Sequence, residues 1–272
     1  MNKEKVISRE YKIMLKAEKF RGDTQKLFSV SSLFWQEFKT CISQLVPEVE
    51  GELNRIEKNR TIKFFDTSEK LLRTNNYVFR ERIDLDEKTR EVTLKFRHPD
   101  RYISQDRNMD ARKKSNGKTK FEEDIKPEFL KLYSFSTKQE IADKTPLDTL
   151  GDVDELYPDI DNKIDEFKKD TELHLVGDFI AREIVIEGGG FTVRKSPVVK
   201  SECALVVWYD FKGDPHVPVL VEFSFKYEDE KEEYTVKMAQ RAYDVFQALQ
   251  TMEEWIDPDS MTKTAYVYSL DS

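Results

Sequence analysis

Cysteine and histidine are scarce in this chain of 272 residues, with two of the first and three of the second. Cys41 and Cys203 lie far apart without metal-like spacing, so a disulfide scaffold is not expected, and a reducing cytoplasmic setting suits both as buried apolar residues. His98, His174 and His216 stand in unlike contexts, which argues against a histidine metal cluster. No uninterrupted apolar run approaches the roughly 18 residues of a membrane span, and the opening MNKEKVISRE lacks the apolar core of a secretion signal. Glycine numbers only nine, and its one cluster, Gly188-Gly189-Gly190, reads as a turn because no Lys-Ser/Thr and helix follow it as in a phosphate loop. There is no nucleophile-elbow pattern, and neither cysteine has a histidine neighbour, so covalent catalysis has no candidate nucleophile. Positive charge is also in deficit: 45 Lys and Arg against 53 Asp and Glu leave −8, unlike a general nucleic-acid binder.

What the chain has instead is charge in alternation. Tyr77-Val78-Phe79-Arg80-Glu81-Arg82 sends Arg80 and Arg82 to one face, and Glu91 to Arg97 sends Thr93, Lys95 and Arg97 to one face. The polar stretch Asp84 to Thr89 joins them as a turn. Paired as a hairpin, they gather four cations on one surface, with Val78, Val92, Leu94 and Phe96 serving the other. Such charges usually lie on a solvated sheet face. Other strands, however, add carboxylates to the same pattern. Ser8, Glu10 and Lys12 share one face, as do Lys120, Glu122 and Asp124, while Glu222 stands inside the apolar run Val219 to Phe225. Acids and bases interleaved on several strands describe a lined cavity suited to a polyanion.

These segments, in this order, resemble the CYTH superfamily, the triphosphate tunnel metalloenzymes. Ser8-Arg9-Glu10-Tyr11-Lys12 is similar to that family's opening Glu-x-Glu-x-Lys strand, and Phe64-Phe65-Asp66-Thr67 to its Tyr/Phe-Phe-Asp-Thr segment. Phe79-Arg80-Glu81-Arg82 and Thr93-Leu94-Lys95 match its Leu-Arg-x-Arg and Thr-Leu-Lys strands. Lys120 to Asp124 and Glu222-Phe223-Ser224 resemble its later acidic strands. No single motif is specific; the ordered set is. The resemblance implies an α+β fold: one antiparallel β-barrel of about eight strands forming a triphosphate tunnel, with helices packed outside. It implies a single domain over residues 1–272, with a helical and loop insertion at about 126–172.

The resemblance also implies a chemistry, divalent-metal-dependent hydrolysis of a triphosphate that is inorganic, a thiamine ester, a nucleotide or an RNA 5′ end. It admits two alternatives, a non-catalytic triphosphate- or polyphosphate-binding module and a class IV adenylate cyclase. Lys12, Arg80, Arg82, Lys95, Arg97, Lys120, Arg182 and Arg194 are the candidates to grip phosphates, through forked guanidinium contacts and mobile ammonium charges. Glu10, Glu122, Asp124 and Glu222 are the candidate ligands of Mg²⁺ or Mn²⁺, hard ions that take oxygen donors. Glu10, Lys12, Glu122 and Glu222 are the candidate catalytic residues. Two departures bear on the metal: Ser8 and Ser224 stand where the family carries glutamates.

Elsewhere the pattern predicts a helix from Phe28 to Leu45, with apolar positions Leu33, Phe34, Phe38, Cys41, Ile42 and Leu45, and another from Val236 to Met252. Leu53 to Phe65 reads as a strand. Asp100 to Lys118 reads as a solvated loop whose basic run Arg112-Lys113-Lys114 offers at most a weak surface contact to nucleic acid. Glu128 to Lys169 reads as helices and loops with an acidic exterior, without the spacing of a calcium loop. Leu173 to Ile186, Phe191 to Lys195, Ala204 to Phe211 and Thr264 to Leu270 read as strands.

Overall fold

A computed structural model describes residues 4–113 and 117–271; Lys114, Ser115 and Asn116, part of the expected basic loop, lie outside them. Ten strands form one sheet: β1 (Ser8–Leu15), β2 (Val49–Asp66), β3 (Tyr77–Asp84), β4 (Arg90–His98), β5 (Gly117–Lys126), β6 (Leu130–Glu140), β7 (His174–Leu175), β8 (Ala181–Lys195), β9 (Val198–Asp210) and β10 (Pro218–Glu228). Their order is β3-β4-β6-β5-β1-β10-β9-β8-β2, and β2 pairs again with β3, so nine strands close into a ring with β7 at its margin. β1 and β5 run parallel; the other ring pairings are antiparallel. The class is α+β as expected, with nine ring strands rather than eight and the helices outside.

Closure removes exposed sheet edges but leaves each strand with an inner and an outer face, and here the larger apolar clusters lie outside. Helix α1 (Thr24–Ile42) starts where the Asp23 side chain accepts from Lys26 N at 2.8 Å. Its stripe of Leu27, Phe34, Trp35, Phe38 and Ile42 covers the outer faces of β1, β8, β9 and β10, together with a later helix of residues 236–250. Phe34 and Phe38 meet Phe223 edge-on at 4.9 and 5.0 Å. Each such fully buried side chain contributes about 1.5–3 kcal/mol. The short helices α2 (Leu71–Thr74), α3 (Arg101–Gln105) and α4 (Leu150–Leu156) follow, then α5 (Val236–Gln250) and α6 (Lys263–Ser269). Among the described residues no helix is long and apolar enough to cross a membrane.

Five expectations need correction. Residues 130–140 are not helix or loop but β6, a full ring strand between β4 and β5. The rest of that acidic segment does not hang free either: Leu150, Val153, Tyr157, Ile160 and Ile164 pack with Phe79, Leu94 and Phe135 into a second core outside the ring. Charged composition masked this, although these apolar residues recur at intervals of three and four, the spacing of one helix face. The expected strand from Thr264 to Leu270 is instead helix as far as Ser269; the β-rich composition misleads, since the closed ring offers it no edge to join. Gly188-Gly189-Gly190 lies within β8 and is no turn: a Cβ at Gly189 would stand 2.6 Å from the Trp35 ring, and one at Gly190 2.5 Å from Ser201 O. Asp100 to Lys118 is more than a solvated loop, since Asp100 caps α3 and Met109 and Ala111 are buried. Val78, finally, shares the face of Arg80, as its register partner Lys95 requires.

Candidate functional site

The inner faces enclose a cavity of about 720 Å³. Its lining holds twelve Lys and Arg against nine Asp and Glu, an excess of +3 inside a chain of −8. Cation and carboxylate strands thus do meet around one space. The two halves differ: β3, β4, β5 and β6 bring most of the bases, while β8 and β9 bring Val185, Ala204, Val206, Trp208 and the carboxylates Glu183, Glu187 and Glu202.

Along the ring axis the site has a floor and a mouth. At the floor, Lys12 Nζ lies 2.8 Å from Glu10 and 2.9 Å from Asp124, and Arg97 Nε lies 3.4 Å from Asp124. The segment from Ile256 to Thr264 closes this end, with Lys263 Nζ 2.8 Å from Glu222 and 5.9 Å from the centre of the Trp208 ring. Met14, Phe64, Val78, Trp208, Val267 and Tyr268 form an apolar plug at the same end. The Phe-Phe-Asp-Thr motif anchors it: the Asp66 carboxylate accepts from the backbone N–H groups of Thr67, Leu72 and Arg73, and from Tyr268 Oη at 2.7 Å. Asp66 is therefore the tie that holds α6 over the ring. Toward the opposite end stand Arg60, Arg82, Lys118, Lys120 and Lys138, with Arg80, Thr93 and Lys95 between.

The electrostatics of the two zones are unlike. Burial opposes charge at Lys12, but Asp124 and Glu10 outweigh it and raise its pKa. Asp124 is likewise held well below the carboxylate range, because Lys12, Lys95 and Arg97 overcome its desolvation. That zone is neutralised from within. Arg80 is different: it has no ion-pair partner within 4 Å among the described residues, its Nε is buried without a hydrogen bond, and burial pushes its pKa down to about 10. Arg82 reaches Glu91 at 3.6 Å only, its Nε is also unpartnered, and burial followed by its neighbours Arg80 and Arg60 lowers its pKa further. Thr93 Oγ1, in register with Arg80, is a third orphan. Burial pushes Lys95 down to about 8 despite Asp124 and Glu122. Buried donors without acceptors are costly, so this wall is built for an anion that the protein itself does not supply.

The four candidate metal ligands fit a resident divalent ion poorly. Asp124 spends Oδ1 on Lys12 and Oδ2 on Ser134 and Arg97. Glu10 is held by Lys12, Glu222 by Lys263 and Glu122, at 3.7 Å, by Lys95. Among the described residues no three Asp, Glu, His or Cys side chains converge as a metal group. Ser8 and Ser224, both buried, contribute neutral hydroxyls and no carboxylate.

Of the residues singled out from the sequence, Glu10, Lys12, Arg80, Arg82, Lys95, Arg97, Lys120, Glu122, Asp124 and Glu222 line the cavity. Arg182 and Arg194 do not. Alternation along β8 turns Glu183 inward and Arg182 outward, where its Nε donates to Asn59 Oδ1 at 3.2 Å, and Arg194 donates to Pro197 O at the β8–β9 hairpin. Sequence reading missed Arg60, Lys126, Lys138, Glu183, Lys226 and Lys263, all in the lining. Two had a visible signal: Arg60 shares a face with Phe64, and Lys138 with Ser136 in an alternating stretch that charge composition disguised.

No family model and no curated protein matches the chain. Among solved structures it is similar to a candidate adenylyl cyclase from Hippeastrum described as having a dominant triphosphatase activity, at 12% identity over 97% of this chain and 96% of that one, with a TM-score of 0.47. It is also similar to candidate adenylate cyclases from Bacillus halodurans, at 15% identity over 98% of each chain with a TM-score of 0.38, and from Vibrio parahaemolyticus, at 10% identity over 98% and 99% with a TM-score of 0.37. Likenesses this distant do not say what this chain binds or transforms.

Proposed function

We propose that the protein takes the phosphate chain of a triphosphate compound into its ring and hydrolyses a terminal anhydride there. The observation that carries this reading is the half-buried pair Arg80 and Arg82, whose Nε atoms are buried without acceptors in a cavity of net positive lining, Arg80 having no ion-pair partner among the described residues and Arg82 only Glu91 at 3.6 Å. A phosphate chain supplies several anionic oxygens in a row, and arginine's planar fork matches two of them at once. Arg80 and Arg82, with Thr93 and Lys95, would grip that chain, and Lys138 and Lys120 would meet it nearer the mouth. Drawing negative charge off the transferred phosphoryl group favours attack, because dissociation spreads charge over its outer oxygens. Glu122 is the carboxylate best able to orient the water, since its partner Lys95 stands 3.7 Å away and leaves room for a further hydrogen bond.

A second reading is a binding module without turnover. It is favoured by the cations that already occupy Glu10, Asp124 and Glu222. The cyclase reading has less support, because the lining's Trp208 is 1% exposed and packed edge-on against Phe64, so its ring does not offer a face to a base. A panel of tripolyphosphate, thiamine triphosphate, ATP and triphosphate-ended RNA, assayed for phosphate release with Mg²⁺, with Mn²⁺ and with EDTA, separates the readings. Phosphate release from one compound supports hydrolysis; cyclic AMP with pyrophosphate would name the cyclase; tight binding without products supports the module. Absence of binding by any of them would end the triphosphate reading.

A further inference from the structure

We infer that the charge of the bound phosphate chain is neutralised by the protein's own lysines and arginines, so that binding needs no divalent ion. This rests on the triphosphate reading above and goes beyond it. A cation bridging Glu10 and Asp124 would have to sit between them, and the Lys12 ammonium is already there at 2.8 and 2.9 Å. Displacing it would strand a lysine whose side chain is only 16% exposed and strip Asp124 of a charged donor. The second Asp124 oxygen is committed to Ser134 and Arg97, so ligation there means breaking those contacts as well. Glu222 is engaged by Lys263 from the closing segment.

The two serines point the same way. Ser8 is in register with Glu122 of β5 and Ser224 with Lys12 of β1, so both are on the face of a charged group, and Ser224 lines the cavity while Ser8 does not. Ser8 Oγ is fully buried and has no hydrogen-bond partner. A neutral hydroxyl adds no charge to attract Mg²⁺, yet it can donate to a phosphate oxygen. The lining carries an excess of +3, so the space as a whole attracts a polyanion, and one complexed by Mg²⁺ arrives with less charge to offer its cations.

Calorimetric titration with tripolyphosphate, in EDTA and then with Mg²⁺ equimolar to the ligand, tests this directly. Saturable binding in EDTA that weakens severalfold with Mg²⁺ is expected. Binding seen only with Mg²⁺ or Mn²⁺ would overturn the inference while leaving the triphosphate reading intact, whereas no binding in either condition would remove both. A second arm titrates Mn²⁺ alone. The wild type should show no saturable site, and Lys12→Met, which frees Glu10 and the Oδ1 of Asp124, should gain one. Tight Mn²⁺ binding by the wild type, or a folded Lys12→Met that gains nothing, counts against Lys12 as the group that holds the metal's place; should the variant fail to fold, the wild-type titration decides.

Discussion

Replacing Lys95 by methionine separates the cost of the positive wall from its use. Lys95 lies on β4 with 8% of its surface exposed, facing Glu122 at 3.7 Å, with Asp124, Arg97 and Lys12 nearby. Burial is the largest influence on it and pushes its pKa from 10.5 down to about 8. At about 1.4 kcal/mol per tenfold change, holding Lys95 charged costs the fold about 3 kcal/mol at neutral pH. Methionine keeps a similar unbranched chain and drops the charge, so Lys95→Met should raise the unfolding free energy by about 1–3 kcal/mol at pH 7, read as a higher urea midpoint with an unchanged slope. The sign can be checked against pH. The folded state holds this proton less tightly than the unfolded chain, so the penalty is full below pH 8 and fades as pH rises toward 10.5, and the variant's advantage should fade with it. Binding should move the other way, because a charge-assisted contact of about 1.5–3 kcal/mol is lost and tripolyphosphate affinity falls about tenfold to a hundredfold. A variant that is less stable than the wild type at pH 7 and binds tripolyphosphate equally well would refute both the burial cost and the placement of the ligand.

Three further outcomes follow from the same geometry. Tripolyphosphate affinity should fall as pH rises through about 8, where Lys95 loses its proton, and binding near that pH should take up protons, seen as a heat that depends on the buffer's ionisation enthalpy; a flat profile from pH 7 to 9 would show that Lys95 does not meet the ligand. Arg182→Ala and Arg194→Ala should leave tripolyphosphate affinity within twofold of wild type, because both side chains lie outside the cavity, and a tenfold loss from either would contradict that placement. Gly51→Ala should cost about 2 kcal/mol or more in urea unfolding, since φ is +70° there and the new Cβ would stand 1.9 Å from Gly188 O; a change under 0.5 kcal/mol would show that the β2–β8 crossing is slack.

How far the sequence carried can be seen residue by residue. A period of two is a local property of extended chain, so Arg80 with Arg82, Thr93 with Lys95 and Arg97, and Glu10 with Lys12 could be placed on common faces before any fold was known. The same rule, applied strictly, would have put Val78 with Arg80, and the alternation of Ser134, Ser136 and Lys138 was legible beneath the charges around it. The short terminal helix was less so, because Thr264, Tyr266, Val267 and Tyr268 favour a strand until the ring is known to be closed. What alternation cannot say is which face turns inward, and so Arg182 and Glu183, neighbours in the chain, exchange the roles that composition would give them. Nor can it say which charge meets which. Lys12 finds Asp124 across 112 residues, through the parallel pairing of β1 with β5, and Lys263 finds Glu222 only because the helix bearing Tyr268 is tied to Asp66. Strand faces are fixed by bonds between adjacent residues; the pairing that neutralised the carboxylates and left Arg80 unpaired was fixed by register and ring closure, which no local stretch of sequence contains.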